Sequence, residues 1–153
     1  MGTSAKVTFV ETDGYYYKKE LVSVRHHWDG YIDGVGHSLA EWLLKKKLIN
    51  GIGPDQYSNE YANGVGCLAA WYIAENKNQP GDFYITPDGS IADYNYKIMI
   101  KDKVTDIDYK PIPLNDITTI VVTYGWSEKP IFIGSPEELL KFQEPEEDDE
   151  EDE

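Results

Sequence analysis

The order of strand-like and helix-like segments is the feature that most restricts the folds open to this chain. Five segments alternate apolar and polar residues, which is the pattern of half-buried strands. They are residues 6–11, 15–26, 82–86, 92–100 and 116–124. Between the second and third strands, two segments repeat apolar residues every three to four positions, as amphipathic helices do. The first helix begins at Asp33 or Gly34 and ends near Leu48, and the second covers residues 63–76.

A short strand and a last helix complete the predicted order. Residues 130–134 are a short, mostly apolar run. Ser135 then supplies a helix cap, with Pro136 in the first helical position and Glu138 in the third. This helix ends near Phe142. The order ββααβββα, joined by hairpins, predicts an α+β fold with an antiparallel sheet packed against the two central helices.

Local signals mark the turns between these segments. Asp13-Gly14 predicts a hairpin between the first two strands, with an irregularity near Lys18-Lys19 in the second. Lys45-Lys46-Lys47 falls in the predicted last turn of the first helix, where the helix dipole favours cations. Asn50-Gly51 then ends that helix.

The charge of the chain is concentrated at its carboxyl end. Of the net charge of −14, nine negative charges lie in residues 144–153, which leaves −5 for residues 1–143. We therefore predict one domain over residues 1–143 and a disordered acidic tail over residues 144–153. The tail is either a solubilising segment or an acidic arm that competes with nucleic acid for a basic partner surface.

Several classes of protein do not fit this composition. The single Cys67 excludes an internal disulfide and a cysteine metal cluster, and no cofactor is predicted. The sequence shows no signal-peptide pattern and no apolar run of membrane-spanning length, so we predict a cytoplasmic protein. Beyond Lys45-Lys46-Lys47 the sequence shows no basic patch, so direct binding of nucleic acid is not expected.

Residues 25–37 concentrate the chemically versatile side chains. They contain all three histidines, a tryptophan, two aspartates and three glycines. A second Gly-Val-Gly sequence at Gly64 and Gly66 echoes the one at Gly34 and Gly36, thirty positions earlier. The candidate ligand- or partner-binding residues are His26, His27, Trp28, Asp29, Tyr31, Asp33, Gly34, Gly36, His37, Gly64 and Gly66.

We weigh three interpretations of the histidine-rich segment. In the structural one, Trp28 and Tyr31 anchor a sheet-to-helix corner, and the carboxylates of Asp29 and Asp33 accept backbone N–H groups. A metal site would combine His26 or His27 with His37 and one aspartate. Acid–base catalysis would pair a histidine with Asp29 and use Ser38 or Cys67 as nucleophile. No catalytic set is complete, so no catalytic residue is assigned.

The two Gly-Val-Gly sequences have two interpretations. Each stands at a predicted helix start, where glycines allow close contact between the two helices. Alternatively, the free N–H groups of the helix starts form a cradle for a phosphate or a nucleotide.

The histidine-rich segment also resembles a segment of known proteins. The run Arg25-His26-His27-Trp28-Asp29-Gly30-Tyr31, followed by Asp33-Gly34-Val35-Gly36, resembles a group of small phage and prophage proteins without an assigned activity. Those proteins begin with a β-hairpin and continue with a His-Trp-Asp-Gly-Tyr-Pro segment that leads into a helix. Here Ile32 stands in place of the proline. The resemblance implies a mobile-element origin and an α+β fold.

The leading functional hypothesis is a binding protein. We expect a phage-type inhibitor in the host cytoplasm that blocks a host factor, such as a nuclease-based defence system. Its partner is then a host protein with a basic nucleic-acid-binding surface, engaged through an acidic surface that mimics nucleic acid. The alternatives are a nucleotide-binding sponge for a defence signal that uses the two helix starts, and a small hydrolase centred on His27, Asp29 and His37.

Overall fold

A computed structural model describes residues 2–51, 57–87, 89–101 and 111–145. The strands are β1 (Ala5–Thr12), β2 (Lys18–His26), β3 (Lys47–Ile49), β4 (Tyr61–Asn63), β5 (Phe83–Ile85), β6 (Tyr94–Lys101), β7 (Ile112–Pro113), β8 (Thr118–Tyr124) and β9 (Phe132–Gly134). The helices are α1 (His37–Leu44), α2 (Val65–Asn76), α3 (Leu114–Ile117) and α4 (Pro136–Lys141), with a π-helical turn at Ile32–Gly36 before α1.

The predicted α+β class is confirmed. The main sheet has six strands in the order β5-β2-β1-β6-β8-β9, and four of its five neighbouring pairs are antiparallel. The exception is the parallel pair formed by β1 and β6. That pairing was not predicted. Strand β1 lies in the middle of the sheet, and its second neighbour, β6, follows in the sequence only after the helices and β5.

One face of the main sheet packs against the helices. Side chains from the sheet, such as Phe9, Tyr96 and Ile98, form one buried cluster with helical residues such as Leu39 and Leu68. Burial of a large apolar side chain contributes about 1.5–3 kcal/mol relative to exposure. This cluster is therefore the main source of stability, and the first two long helices lie on the sheet as predicted.

The hairpin between β1 and β2 follows its turn sequence. The Asp13 carboxylate accepts hydrogen bonds from the N–H groups of Tyr15 and Tyr17, and these bonds lower the pKa of Asp13. Gly14 takes a φ of +88°, which glycine adopts without strain. The irregularity in β2 lies at Leu21, where the register with β1 shifts, and not at Lys18-Lys19 as predicted.

The prediction of one continuous helix to Leu48 is wrong. The segment begins with a π-helical turn, α1 ends at Leu44, and the chain then enters β3. The change of structure coincides with Lys46, which is buried instead of exposed in a last helical turn. Its ammonium group donates to the Asn59 carbonyl at 2.6 Å and to Glu75 at 2.9 Å, and it lies 4.7 Å from the Trp42 ring centroid.

A second, small sheet was not predicted from the sequence. It has the order β4-β3-β7, with β3 parallel to β4 and antiparallel to β7. Its strands have two or three residues each, which is too short for an alternating pattern. The predicted strand at residues 116–124 likewise begins with the helical turn α3, so that β8 starts at Thr118.

The carboxyl-terminal helix follows its capping signal. The Ser135 side chain accepts from the Glu138 N–H, the Glu138 side chain accepts from the Ser135 N–H, and Pro136 opens α4. The predicted capping box is thus confirmed. Of the predicted tail, Glu144 and Pro145 are described, whereas residues 146–153 lie outside the described residues. Over the described ranges, no helix has both the length and the apolar character needed to cross a membrane.

Candidate functional site

The histidine-rich segment forms a corner between β2 and α1. Asp29 has a φ of +60°, an unusual value for a residue with a side chain. Gly30 follows, and a Cβ there would lie 2.3 Å from the Ser4 carbonyl oxygen. Its N–H donates to the Thr3 carbonyl at 2.8 Å, and its own carbonyl accepts from the Tyr96 hydroxyl at 2.7 Å. Only glycine allows this approach of the corner to β1.

The other glycines of the corner also permit close contacts. A Cβ on Gly34 would lie 2.3 Å from the Asp29 carbonyl oxygen, and a Cβ on Gly36 would lie 3.1 Å from the Tyr96 hydroxyl. The Asp29 carbonyl accepts from the Val35 N–H at 2.8 Å. The close contacts of Gly34 and Gly36 and the hydrogen bond of Val35 therefore hold the π-helical turn in place.

The prediction that the carboxylates of Asp29 and Asp33 accept backbone N–H groups is wrong. The π-helical turn has no side-chain cap. Main-chain carbonyls act instead: Tyr31 accepts the N–H groups of Gly34 and Gly36, and Asp29 accepts that of Val35. Both carboxylates are exposed, and neither forms an ion pair or hydrogen bond with another described residue. They are consequently available to a cationic group from outside.

A cleft of about 530 Å³ opens at this corner. Six of the predicted site residues line it, namely His26, Trp28, Asp29, Tyr31, Asp33 and Gly34. The remaining lining residues are Val35, Ser38, Tyr72 and Asn76. The cleft thus combines a contiguous stretch of sequence with residues from α1 and from α2.

The inner wall of the cleft is a histidine–tyrosine pair, in which Tyr72 is buried and His26 is partly buried. His26 Nε2 and the Tyr72 hydroxyl share a hydrogen bond of 2.7 Å. Burial lowers the pKa of His26 from 6.5 to about 4, and burial also raises the pKa of Tyr72. Both groups are therefore neutral at physiological pH, and His26 also packs edge-on against Phe83.

The rim of the cleft is aromatic and acidic. Trp28 is 49% exposed and Tyr31 is 46% exposed, which is high for rings of this size. Trp28 is steadied by a hydrogen bond from its Nε1 to Asp82 at 3.3 Å. Beside these rings lie the carboxylates of Asp29 and Asp33. Such a rim offers ring faces and negative charge to the same ligand.

The three histidines do not converge on one site. His27 is exposed and packs edge-on against Trp28, at 5.1 Å between ring centroids. His37 Nε2 donates to the Phe142 carbonyl at 2.8 Å. Only His26 lines the cleft. In the described part of the chain, no three His, Cys, Asp or Glu side chains are placed to hold a metal ion.

The residues after α4 lie against the other side of the corner. The hydrogen bond from His37 fixes Phe142, and the Glu144 carboxylate accepts hydrogen bonds from the hydroxyls of Tyr94 and Tyr124. A second cleft, of about 370 Å³, is lined by Tyr31, Ile32, Asp33, Gln143 and Glu144. Tyr31 and Asp33 thus border both clefts.

The second Gly-Val-Gly sequence lies elsewhere. Gly64, with a φ of +93°, precedes α2, and Gly66 lies in its first turn. The predicted contact between the two helix starts is wrong, because a Cβ at Gly64 or Gly66 would meet no atom within 4 Å. Neither corner cleft is lined by these two glycines.

Sequence reasoning missed three residues of the site. From the sequence, Tyr72 and Asn76 fall only within the range of the predicted second helix, residues 63–76. Glu144 was assigned to the tail. Tyr72 and Asn76 lie four residues apart, which places them on one face of α2, so a polar pair at that spacing was the available signal. No local signal points to Glu144.

A comparison of the chain with protein-family models, with curated proteins and with solved structures finds no match in any of the three.

Proposed function

We propose that this chain is a binding protein that engages a basic partner protein through the corner. The surface involved, here called the acidic–aromatic surface, comprises Trp28, Asp29, Tyr31, Asp33 and Glu144. The proposal rests on one observation above all. Two exposed carboxylates and two half-exposed rings surround a cleft, and the first residue of the acidic tail borders the adjoining cleft.

The chemistry of this surface suits arginine and lysine side chains. A cation over a tryptophan or tyrosine ring gains about 0.5–1 kcal/mol when exposed and more when desolvated. Carboxylates such as Asp29 and Asp33 add charge-assisted hydrogen bonds, which are bidentate with a guanidinium group. Aromatic anchors within a polar rim are also the usual composition of binding hot spots.

The anchored segment adds long-range attraction. The hydrogen bonds of Tyr94 and Tyr124 hold Glu144 beside Asp33, and the eight residues that follow Pro145 are all acidic. The predicted tail therefore begins at the acidic–aromatic surface, and its acidic residues add to the negative field of the chain. Such a field accelerates association with a basic partner and weakens as salt rises.

A nucleic-acid-handling host protein is the partner class that this surface fits best. Its basic channel is built to bind phosphates, and an acidic surface competes for the same lysines and arginines. The resemblance to phage and prophage proteins directs the proposal toward an inhibitor of a host defence factor. The nucleotide-binding and hydrolase alternatives gain no support from the contacts of Gly64, Gly66, His27 and His37.

A defined basic probe tests the proposal. The full chain is titrated against a fluorescent arginine-rich peptide and followed by fluorescence anisotropy at low and at near-physiological salt. The variant Asp29→Asn/Asp33→Asn should weaken binding roughly tenfold, which corresponds to about 1.4 kcal/mol. The matched control Glu41→Gln/Asp116→Asn removes the same charge from exposed positions on α1 and α3, and it should change binding far less.

Two further variants separate the contribution of the aromatic ring contacts from that of the long-range electrostatic attraction. Trp28→Ala should weaken binding at every salt concentration, because it removes ring contacts. Deletion of residues 146–153 should weaken binding mainly at low salt, because it removes only long-range attraction. Equal effects of the corner variant and its charge-matched control would show that only net charge matters, and the proposal would then be wrong.

A further inference from the structure

The face of the main sheet opposite to the helices has a different chemistry. We call it the outer sheet face and define it by the residues of β1, β2, β5, β6 and β8 that point away from the helices. Val10 is buried on this face but does not belong to the main apolar cluster. In the described residues, the helices contribute their buried side chains to the opposite face only.

The strand registers bring one row of polar and aromatic residues together on this face. Tyr84 pairs with Arg25, Arg25 with Lys6, Lys6 with Asn95, and Asn95 with Thr123. Neighbouring strands lie about 4.8 Å apart, so the row spans roughly 19 Å. It contains two cations and no carboxylate.

The row leads into a groove beneath an exposed tryptophan. A cleft of about 480 Å³ is lined by Lys6, Asn95, Thr123 and Trp126, together with Lys97 from the next row. Trp126 is 82% exposed. The Lys6 ammonium group donates to the Ser90 carbonyl at 2.7 Å. The groove also contains Glu20, which pairs with Lys97 at 3.4 Å, and Glu128 at its edge.

These features correspond to the general requirements for binding an unpaired nucleic-acid strand. Such a strand presents phosphates to cationic side chains and flat bases to aromatic rings. Arg25 and Lys6 supply cations in the middle of the row, while Tyr84 and Trp126 supply rings at its two ends. Asn95 and Thr123 add side chains that donate and accept hydrogen bonds.

We propose that the outer sheet face is a binding site for single-stranded nucleic acid, built by Arg25 and Lys6 between the rings of Tyr84 and Trp126. The site has room for about four nucleotides, at the lower end of single-strand sites on small β domains. This inference goes beyond the proposed function, because it concerns the opposite face of the sheet and a partner of opposite charge.

An acidic peptide is the competing occupant, and the groove favours nucleic acid over it. Both would contact Arg25 and Lys6. A glutamate-rich peptide, however, has no flat ring system to cover Trp126, whereas each nucleotide provides one. The long-range field of a chain of charge −14 opposes both ligands. Short-range stacking is therefore the interaction that decides between them.

The experiment uses the full chain with labelled oligothymidine and oligouridine in fluorescence anisotropy. Trp126→Ala should weaken binding at least about fivefold, as loss of one base–aromatic stack predicts. Arg25→Gln should reduce the slope of log affinity against log salt by about 0.7, as loss of one phosphate contact predicts. The matched controls are Tyr16→Ala, at an exposed ring of the hairpin, and Lys45→Gln, at an exposed lysine after α1.

Selective losses of oligonucleotide affinity with Trp126→Ala and Arg25→Gln support the inference. It is supported further if oligoglutamate fails to displace either oligonucleotide from the protein. It is overturned if no oligonucleotide binds even at low salt, if the controls weaken binding as much, or if oligoglutamate binds equally well and equally depends on Trp126. The Asp29→Asn/Asp33→Asn variant should retain oligonucleotide binding, so failure here is distinct from failure of the proposed function.

Discussion

The Tyr96 hydroxyl donates a 2.7 Å hydrogen bond to the carbonyl of Gly30, and both residues are buried. Strand β6 thereby holds the corner that carries the acidic–aromatic surface, although the two residues lie far apart in the chain. Burial raises the pKa of Tyr96, so the hydroxyl keeps its proton and remains a donor. Substitutions that disturb this hydrogen bond should therefore lower the stability of the fold and change the conformation of the corner.

Replacement of Tyr96 by phenylalanine should destabilise the fold by about 1–3 kcal/mol. The Gly30 carbonyl would remain buried without its donor, and an unsatisfied buried acceptor carries that cost. Urea unfolding with an unchanged m value measures the loss. Tyr84→Phe is the control, since Tyr84 is exposed, and it should change stability by less than about 0.5 kcal/mol. Similar values for both variants would refute the role of the Tyr96–Gly30 contact.

The two glycine-rich segments should respond in opposite ways to alanine. Gly30→Ala should cost more than about 2 kcal/mol, because its Cβ would meet the Ser4 main chain at 2.3 Å and the backbone would have to move. Gly66→Ala should stabilise the protein by about 0.5–1 kcal/mol, because α2 gains a better helix former at a position with open space. Thermal unfolding of both variants tests this, and a loss of stability with Gly66→Ala would contradict it.

His26 should make stability depend on pH below neutrality. Its folded pKa of about 4 lies below the ordinary value of 6.5, so the unfolded chain binds the proton more readily. Stability is therefore full above about pH 6.5 and falls as the pH decreases toward 4, by roughly 3 kcal/mol over that window. The measurement is chemical unfolding at a series of pH values.

The variant His26→Gln isolates this contribution. Its amide can still hydrogen-bond to the Tyr72 hydroxyl but does not titrate, so the decline between pH 6.5 and pH 4 should become shallower. His27→Gln, at an exposed imidazole, should keep the decline of the unmodified chain. A variant at His26 with the same pH dependence as the unmodified chain would show that another group is responsible.

Lys46→Met should destabilise the fold by about 2 kcal/mol. It removes the contacts to the Asn59 carbonyl and to Glu75, and breaking a buried ion pair costs about 3–5 kcal/mol when both partners are fully enclosed. The smaller value is expected because Glu75 is partly exposed. Burial acts to raise the pKa of Glu75, but hydrogen bonds from Lys46 and Trp42 outweigh it, so the pKa is lowered and the pair is ionic.

The adjacent Lys47→Met variant provides the comparison. Lys47 pairs with Glu60 at 3.2 Å on the surface, where a salt bridge contributes about 0–1 kcal/mol. Equilibrium unfolding should therefore separate the two neighbouring lysines clearly. Equal losses at both positions would mean that the contacts of the buried lysine add nothing beyond a surface pair.

The features that sequence reasoning predicted correctly depend on neighbours in the chain. The capping box at Ser135 and the hairpin turn at Asp13 each involve groups within four residues, so the local sequence contains the whole interaction. The fold class likewise follows from the order of periodic segments. Several candidate residues lie together at the corner cleft because most of the residues that line it are close in sequence, within residues 26–38.

The features that were missed depend on distant partners. Lys46 resembles a surface lysine at a helix end until Asn59 and Glu75 are known to surround it. The parallel pairing of β1 with β6 and the row of Arg25, Lys6 and Asn95 exist only once three strands are aligned. The basic surface proposed here is therefore invisible in a search for runs of lysine and arginine.

The central position of β1 has a consequence for the order of events during synthesis. Its first neighbour, β2, leaves the ribosome directly after it, whereas β6 begins only at Tyr94. Until then the nascent chain carries an open strand edge beside apolar side chains such as Val7 and Phe9, which is a template for wrong pairing. We expect fragments that stop before Lys101 to aggregate, whereas the completed chain closes this edge itself.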